Sequence, residues 1–125
     1  MTKAPKSAAA PDPVARALEW RGDSRERVRA FPDEARREAG FELRAVQEGD
    51  EPSDWKPMSQ VGAGVKEIRI HADGEFRVMY VAKFAEAVYV LHAFGKKTQQ
   101  TSKADIDLAA TRYRELMTKR GSKKP

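Results

Sequence analysis

Residues 65–97, VKEIRIHADGEFRVMYVAKFAEAVYVLHAFGKK, alternate apolar and polar side chains through three runs separated by turn-forming residues. That period of two predicts three neighbouring strands, 65–71, 75–82 and 87–94. Ala72-Asp73-Gly74 and Lys83-Phe84-Ala85-Glu86 are links of hairpin length, and a glycine ending the three-residue link suits the left-handed position of a bulged turn. Counting back from the first link pairs His71 with Glu75, Ile70 with Phe76, Arg69 with Arg77 and Ile68 with Val78. Counting from the second, with Ala82 opposite Ala87, sets Arg77 across from His92 and Val78 across from Leu91. Arg69, Arg77 and His92 then stand in one row across three strands, close to Lys96 and Lys97. Ile68, Val78, Tyr80, Tyr89 and Leu91 fall on the other face, which is the natural one for helices to cover.

Two arginines directly opposite one another repel, so this row calls either for Glu67 and Glu75 as internal partners or for an external anion. A salt-bridged polar face and a phosphate clamp both satisfy that demand. Lys96 and Lys97 extend the positive potential beyond what two carboxylates neutralise, which favours phosphate. His92 is either a half-buried hydrogen-bonding residue or a proton carrier, since an imidazole titrates near neutral pH.

Around this core the chain reads as scaffold. Residues 14–20, VARALEW, suit either a strand or a short helix, and an edge or central strand ending at Trp20 is the favoured reading. Asp23 followed by Glu26 resembles an N-terminal cap for a short helix near 24–30, and Pro32 sits in the first turn of a longer helix running to about Glu48, with Gly49 as its stop. Ala35, Ala39, Leu43 and Val46 recur at helical spacing and form one packing stripe. Residues 50–64, DEPSDWKPMSQVGAG, read as a connector in which Trp55 covers a core edge. After Lys97, Ser102 and Asp105 have capping-box spacing for a helix through about 118. Ile106, Ala109, Tyr113 and Leu116 or Met117 face inward, and Arg112, Arg114 and Lys119 are free to face outward. The expectation is one α+β domain over 14–118, a twisted, mainly antiparallel sheet with helices packed on one face, between a flexible arm, 1–13, and a basic tail, 119–125.

Composition narrows the functional classes. A chain of 125 residues suits a single core that buries about 65% of the unfolded surface. With no cysteine and two histidines, disulfide staples, thiolate metal sites and histidine-rich clusters are excluded, and no metal or cofactor is expected. No run approaches the ~20 apolar residues of a membrane span, and 1–13 lack the apolar core of a signal peptide, so a soluble cytoplasmic protein is expected. The net charge of +5 is uneven: residues 96–125 hold nine basic against three acidic groups. That asymmetry raises the prior for an anionic partner without naming it. No glycine-rich phosphate loop, hydrolase elbow or dinucleotide fingerprint is present.

The order Val65-Lys66-Glu67-Ile68-Arg69, Phe76-Arg77-Val78-Met79-Tyr80 and Val88-Tyr89-Val90-Leu91-His92-Ala93-Phe94-Gly95-Lys96-Lys97, followed by a capped helix containing Ile106, resembles the phage-derived branch of the RelE/HigB toxin superfamily from about Trp20 to Leu116. The resemblance implies a RelE-like fold and a bacterial toxin that acts as an endoribonuclease on mRNA in the 70S ribosome, made beside a HigA-like helix-turn-helix antitoxin. It implies Arg77, Arg69 and His92 as the catalytic set, with Arg77 on the scissile phosphate and His92 moving the proton. Lys66, Lys96, Lys97 and Arg112 are the further phosphate-binding candidates, and Glu67 and Tyr113 the supporting ones. A non-catalytic basic protein that binds nucleic acid or the ribosome is the alternative.

Overall fold

The computed structural model describes residues 15–122. The expected arm, 1–13, and the end of the basic tail lie outside them. In chain order the elements are β1 (Ala17–Trp20), α1 (Ser24–Arg29), α2 (Asp33–Gln47), β2 (Trp55–Pro57), β3 (Val65–His71), β4 (Glu75–Val81), β5 (Ala87–Gly95) and α3 (Lys103–Ser122). The strands form one five-stranded sheet in the order β1-β5-β4-β3-β2. Only the β1–β5 pair is parallel, so the class is α+β with a mainly antiparallel sheet. β2 is a short edge strand inside the segment expected to be a plain connector; three residues carry too little alternation to announce a strand.

The first hairpin has the register that counting gives, with Arg69 opposite Arg77 and His71 opposite Glu75. Its turn holds Asp73 at φ 55° and Gly74 at φ 122°, so the glycine takes the more demanding of two positive-φ positions. The second hairpin departs from the count. Arg77 faces Phe94, Val78 faces Ala93 and Met79 faces His92, whereas Tyr80 faces Val90. Leu91 is therefore an extra, unpaired residue, a bulge that shifts the register. Between the turn and the bulge the pairing is already one residue off the count, with Val81 facing Tyr89, and this sets Tyr89 and Leu91 on the face opposite Tyr80 and Val78, correcting their expected placement. The bulge adds a second residue of shift and keeps His92 and Phe94 on the Met79 face.

Each sheet face has its own core. Ile68, Val78, Tyr80, Val88 and Val90 pack under α1 and α2, where Ala35, Ala39, Leu43 and Val46 form the buried stripe. Full burial of a residue such as Leu43 is worth about 1.5–3 kcal/mol. Met79, Val81, Tyr89, Leu91 and Phe94 pack on the other face with Ala109 and Leu116 of α3. The helices thus cover both faces rather than one, because β5 is apolar on both sides, with Val88, Val90 and Ala93 on one and Tyr89, Leu91 and Phe94 on the other. α3 opens with the expected cap, the Asp105 amide donating to Ser102 Oγ at 3.1 Å. It runs four residues past the expected end, its last turn held by Arg120 on Glu86 at 2.8 Å and over the Phe84 ring at 3.6 Å.

Candidate phosphate-binding site

α3 covers only part of its sheet face. Toward the β3–β4 turn the same face is polar, and the pairing register lays it out in rows. Lys56 of β2, Glu67 of β3, Met79 of β4 and His92 of β5 form the first row. Arg69, Arg77 and Phe94 form the second, and His71 and Glu75 a third that the Lys96 amide extends by donating to the Glu75 carbonyl at 2.8 Å.

Arg77 is the centre of this patch. It is 5% exposed; its Nη1 donates to Glu75 Oε1 at 3.1 Å and to the Phe76 carbonyl at 2.9 Å. Its Nε faces Glu67 Oε1 at 3.9 Å, beyond hydrogen-bonding distance. Glu67 is fully buried, and Thr101, from the segment joining β5 to α3, donates its hydroxyl to Oε2 at 3.0 Å. Glu67 Oε1, Arg69 Nε, Arg77 Nε and His92 Nδ1 are buried without a hydrogen-bond partner among the described residues. Buried polar atoms without partners cost about 1–3 kcal/mol each, so four on one face are a concentration that packing alone does not favour.

The electrostatics agree. Burial pushes the Lys96 ammonium below its usual range, and Arg77 reinforces the shift while Glu67 opposes it. At the rim His71 reaches two carboxylates, with Nε2 2.7 Å from Asp54 and Nδ1 2.8 Å from Glu75 Oε1. Asp54 and then Glu75 raise the His71 pKa above its ordinary value. His71 and Arg77 in turn hold Glu75 below the usual carboxylate range.

Of the residues singled out from sequence, the fold brings together Arg69, Arg77, Glu67 and Lys96, and leaves Lys97 exposed just beyond. Both proposed internal partners of the arginine pair, Glu67 and Glu75, are in place on Arg77. His92 is on the same face but not in the Arg69–Arg77 row; it faces Met79 and is fully buried. Its Nε2 lies 2.7 Å from Asp105 Oδ1 and its ring stacks on Phe94. Burial lowers its pKa while Asp105 opposes the shift, and the contact ties the α3 cap to the sheet. The bulge and the cap together remove it from the solvent-facing patch.

Three other candidates also lie elsewhere. Lys66 projects from the opposite face, 3.0 Å from Glu51 and over the Trp55 ring, as its odd spacing from Arg69 requires. Arg112 does not face outward: Nη1 donates to the Leu91 carbonyl at 2.9 Å and Nη2 to Asp23 Oδ1 at 2.8 Å. Asp23, expected to cap α1, instead spends its carboxylate on Arg27 and Arg112, which hold its pKa down at about 2. Tyr113 donates its hydroxyl to the Ala63 carbonyl at 3.0 Å and packs against Gly62. Sequence reasoning missed His71 and Thr101 as members of the patch. The His71–Glu75 pairing was legible, but the approach of Asp54 and of the Thr101 segment is tertiary.

Residues 26–114 match the family described as phage-derived protein Gp49-like (DUF891), a span that runs from within α1 into α3 and takes in the whole polar patch. The chain belongs to the Gp49-like family. No curated protein matches it significantly. Among the described residues of this Gp49-like protein no helix is long and apolar enough to cross a membrane, and no group of side chains is arranged to hold a metal ion.

Proposed function

We propose that this Gp49-like protein is the toxin of a type II toxin–antitoxin pair, an endoribonuclease that cuts mRNA on the ribosome and so stops translation. The observation that carries this reading is the half-buried patch in which Arg69, Arg77 and Lys96 converge around the buried Glu67 with partnerless polar atoms. Its resemblance to RelE/HigB toxins gives the same chemistry. A phosphodiester brought to Arg77 would receive the guanidinium hydrogen bonds best suited to a phosphate, and Arg69 and Lys96 would neutralise the charge that develops in the transition state. This reading assigns Glu67, whose partnerless Oε1 lies 3.9 Å from Arg77 Nε, the proton of the attacking 2′-hydroxyl. The nucleophile belongs to the substrate, so no metal is needed, and the products are a 2′,3′-cyclic phosphate and a 5′-hydroxyl. A helix-turn-helix antitoxin of the HigA type is the partner this reading expects.

The test is a translation reaction with purified ribosomes in which RNA ends are mapped. Wild type should cut mRNA, and Arg77→Ala should keep its fold while losing most cleavage. Intact mRNA beside stalled ribosomes would reject the nuclease and favour a protein that blocks translation by binding alone.

A further inference from the structure

His92 is sealed under α3, which leaves the patch needing another proton donor. One carboxylate oxygen shows where such a group stands. Glu75 Oε1 is held at once by Arg77 Nη1 at 3.1 Å and by His71 Nδ1 at 2.8 Å. A single anionic oxygen at this point therefore touches both the guanidinium that the proposed reaction uses and an imidazole. Glu75 is half exposed and free to swing out, so a phosphate oxygen can take its place on the same two donors.

We propose that His71 is the catalytic acid of the phosphodiester cleavage argued above, protonating the departing 5′-oxygen; the inference rests on that reading. As the bond between the 2′-oxygen and phosphorus forms and the bond from phosphorus to the 5′-oxygen breaks, the 2′-hydroxyl proton passes to Glu67. The proton on His71 passes to the 5′-oxygen, leaving a neutral imidazole; release of the Glu67 proton to solvent and uptake of one by His71 restore both groups. The surroundings of His71 suit this role. Asp54 from the segment before β2 and Glu75 of β4 flank its two nitrogens and favour the imidazolium. Arg77 on β4, Arg69 on β3 and Lys96 at the end of β5 supply the positive charge that draws in the phosphate. Lys96 is the rival donor, but an imidazolium with a pKa nearer neutrality gives up its proton more readily to a developing alkoxide.

The experiment measures single-turnover cleavage of a synthetic mRNA on ribosomes, once with the natural phosphodiester and once with sulfur in place of the scissile 5′-oxygen. A thiolate leaving group needs no proton. His71→Gln, which alters a half-exposed rim residue, should lose ~10²–10⁴-fold on the natural substrate. It should cut the sulfur substrate within a few-fold of wild type. Wild-type activity should fall as pH rises above 6.5 through the His71 pKa, and Asp54→Asn, by removing the largest cause of the upward shift, should move that limb to lower pH. Equal losses of His71→Gln on both substrates would mean a positioning role and overturn the proposal while leaving the nuclease intact. Activity of His71→Gln equal to wild type on the natural substrate would also overturn it. A wild type that cuts neither substrate would remove the nuclease reading and this inference with it.

Discussion

Arg112 separates a structural from a nucleic-acid role most cleanly, because it lies on a helix whose charge suggests RNA binding while its side chain is 13% exposed and bonded inward. Replacing it with alanine strips the Leu91 carbonyl, at the bulge of β5, of its partner. The guanidinium-to-carbonyl bond is charge-assisted, and losing it with its buried acceptor left unpaired costs about 1–3 kcal/mol. The ion pair with Asp23 adds less. Asp23 is half exposed and keeps Arg27 at 2.9 Å, so screening holds this part below about 1 kcal/mol. The guanidinium also packs against Gly22, whose φ of 56° and lack of a Cβ allow the approach. The expected loss for Arg112→Ala is about 3 kcal/mol, or a melting temperature lower by roughly 12 °C in a domain of this size. Urea titration followed by fluorescence of Trp20, on β1, measures it. Arg112→Lys should recover little, since an ammonium cannot span both acceptors, and a double-mutant cycle with Asp23→Ala should return a coupling under about 1 kcal/mol. If Arg112→Ala unfolds at the wild-type midpoint but binds ribosomes with a reduced salt dependence, the inward assignment is wrong and Arg112 contacts phosphate.

Other perturbations read other parts of the molecule. The two histidines should tilt the stability–pH curve in opposite senses: buried His92, with its pKa depressed, costs stability as pH falls below 6.5, whereas His71, with its pKa raised, loses its contribution as pH climbs above 6.5. His92→Gln should flatten the acid side and His71→Gln the alkaline side of a series of urea midpoints. Gly62→Ala would push a methyl group into the Tyr113 ring and should cost about 1–3 kcal/mol by displacing α3, seen as a lowered melting temperature. Lys97→Gln should leave stability unchanged and reduce the slope of log affinity against log salt for single-stranded RNA by about 0.7 if that exposed ammonium holds one phosphate.

The fold was legible where local rules and burial agree. The alternation of 65–71, 75–82 and 87–94, which the strands match to within a residue, the α2 stripe and the Ser102–Asp105 cap each carry two signals that point the same way, periodicity with turn chemistry or a cap with an apolar run. The bulge at Leu91 was not legible, because an inserted residue leaves the alternation on either side intact and is decided by what must pack on each face. Nor was the one-residue offset at the second turn, where Val81 and not Tyr80 faces Tyr89: it turns Tyr89 and Leu91 to the α3 side, so that apolar rows stand on both faces of β5 and helices cover both. Arg112 escaped for a related reason. A helical wheel counts an arginine as outward-facing, yet a bulged strand offers an unpaired carbonyl that only a long, forked donor can reach.

The site followed a different logic. Arg69 opposite Arg77 was the informative feature because it is a local conflict, and such conflicts persist only where neighbouring groups or a ligand resolve them. The fold resolves it in part. Glu75 binds Arg77 directly, but Glu67 stops at 3.9 Å, and neither carboxylate reaches Arg69 Nε. Had the arginines served stability alone, a closer carboxylate or an apolar pair would have been the better solution, since buried ion pairs rarely outperform well-packed apolar side chains. An arginine anchored on the Phe76 carbonyl and held otherwise by one exchangeable carboxylate and one incomplete contact can trade a partner without losing its place. The carboxylate it would release, Glu75, is the one that also holds His71. Binding of an anion at Arg77 and the freeing of an imidazolium beside it are thus a single event at a single oxygen position, which is why the rim histidine, and not the buried one, is the residue whose replacement the chemistry should feel.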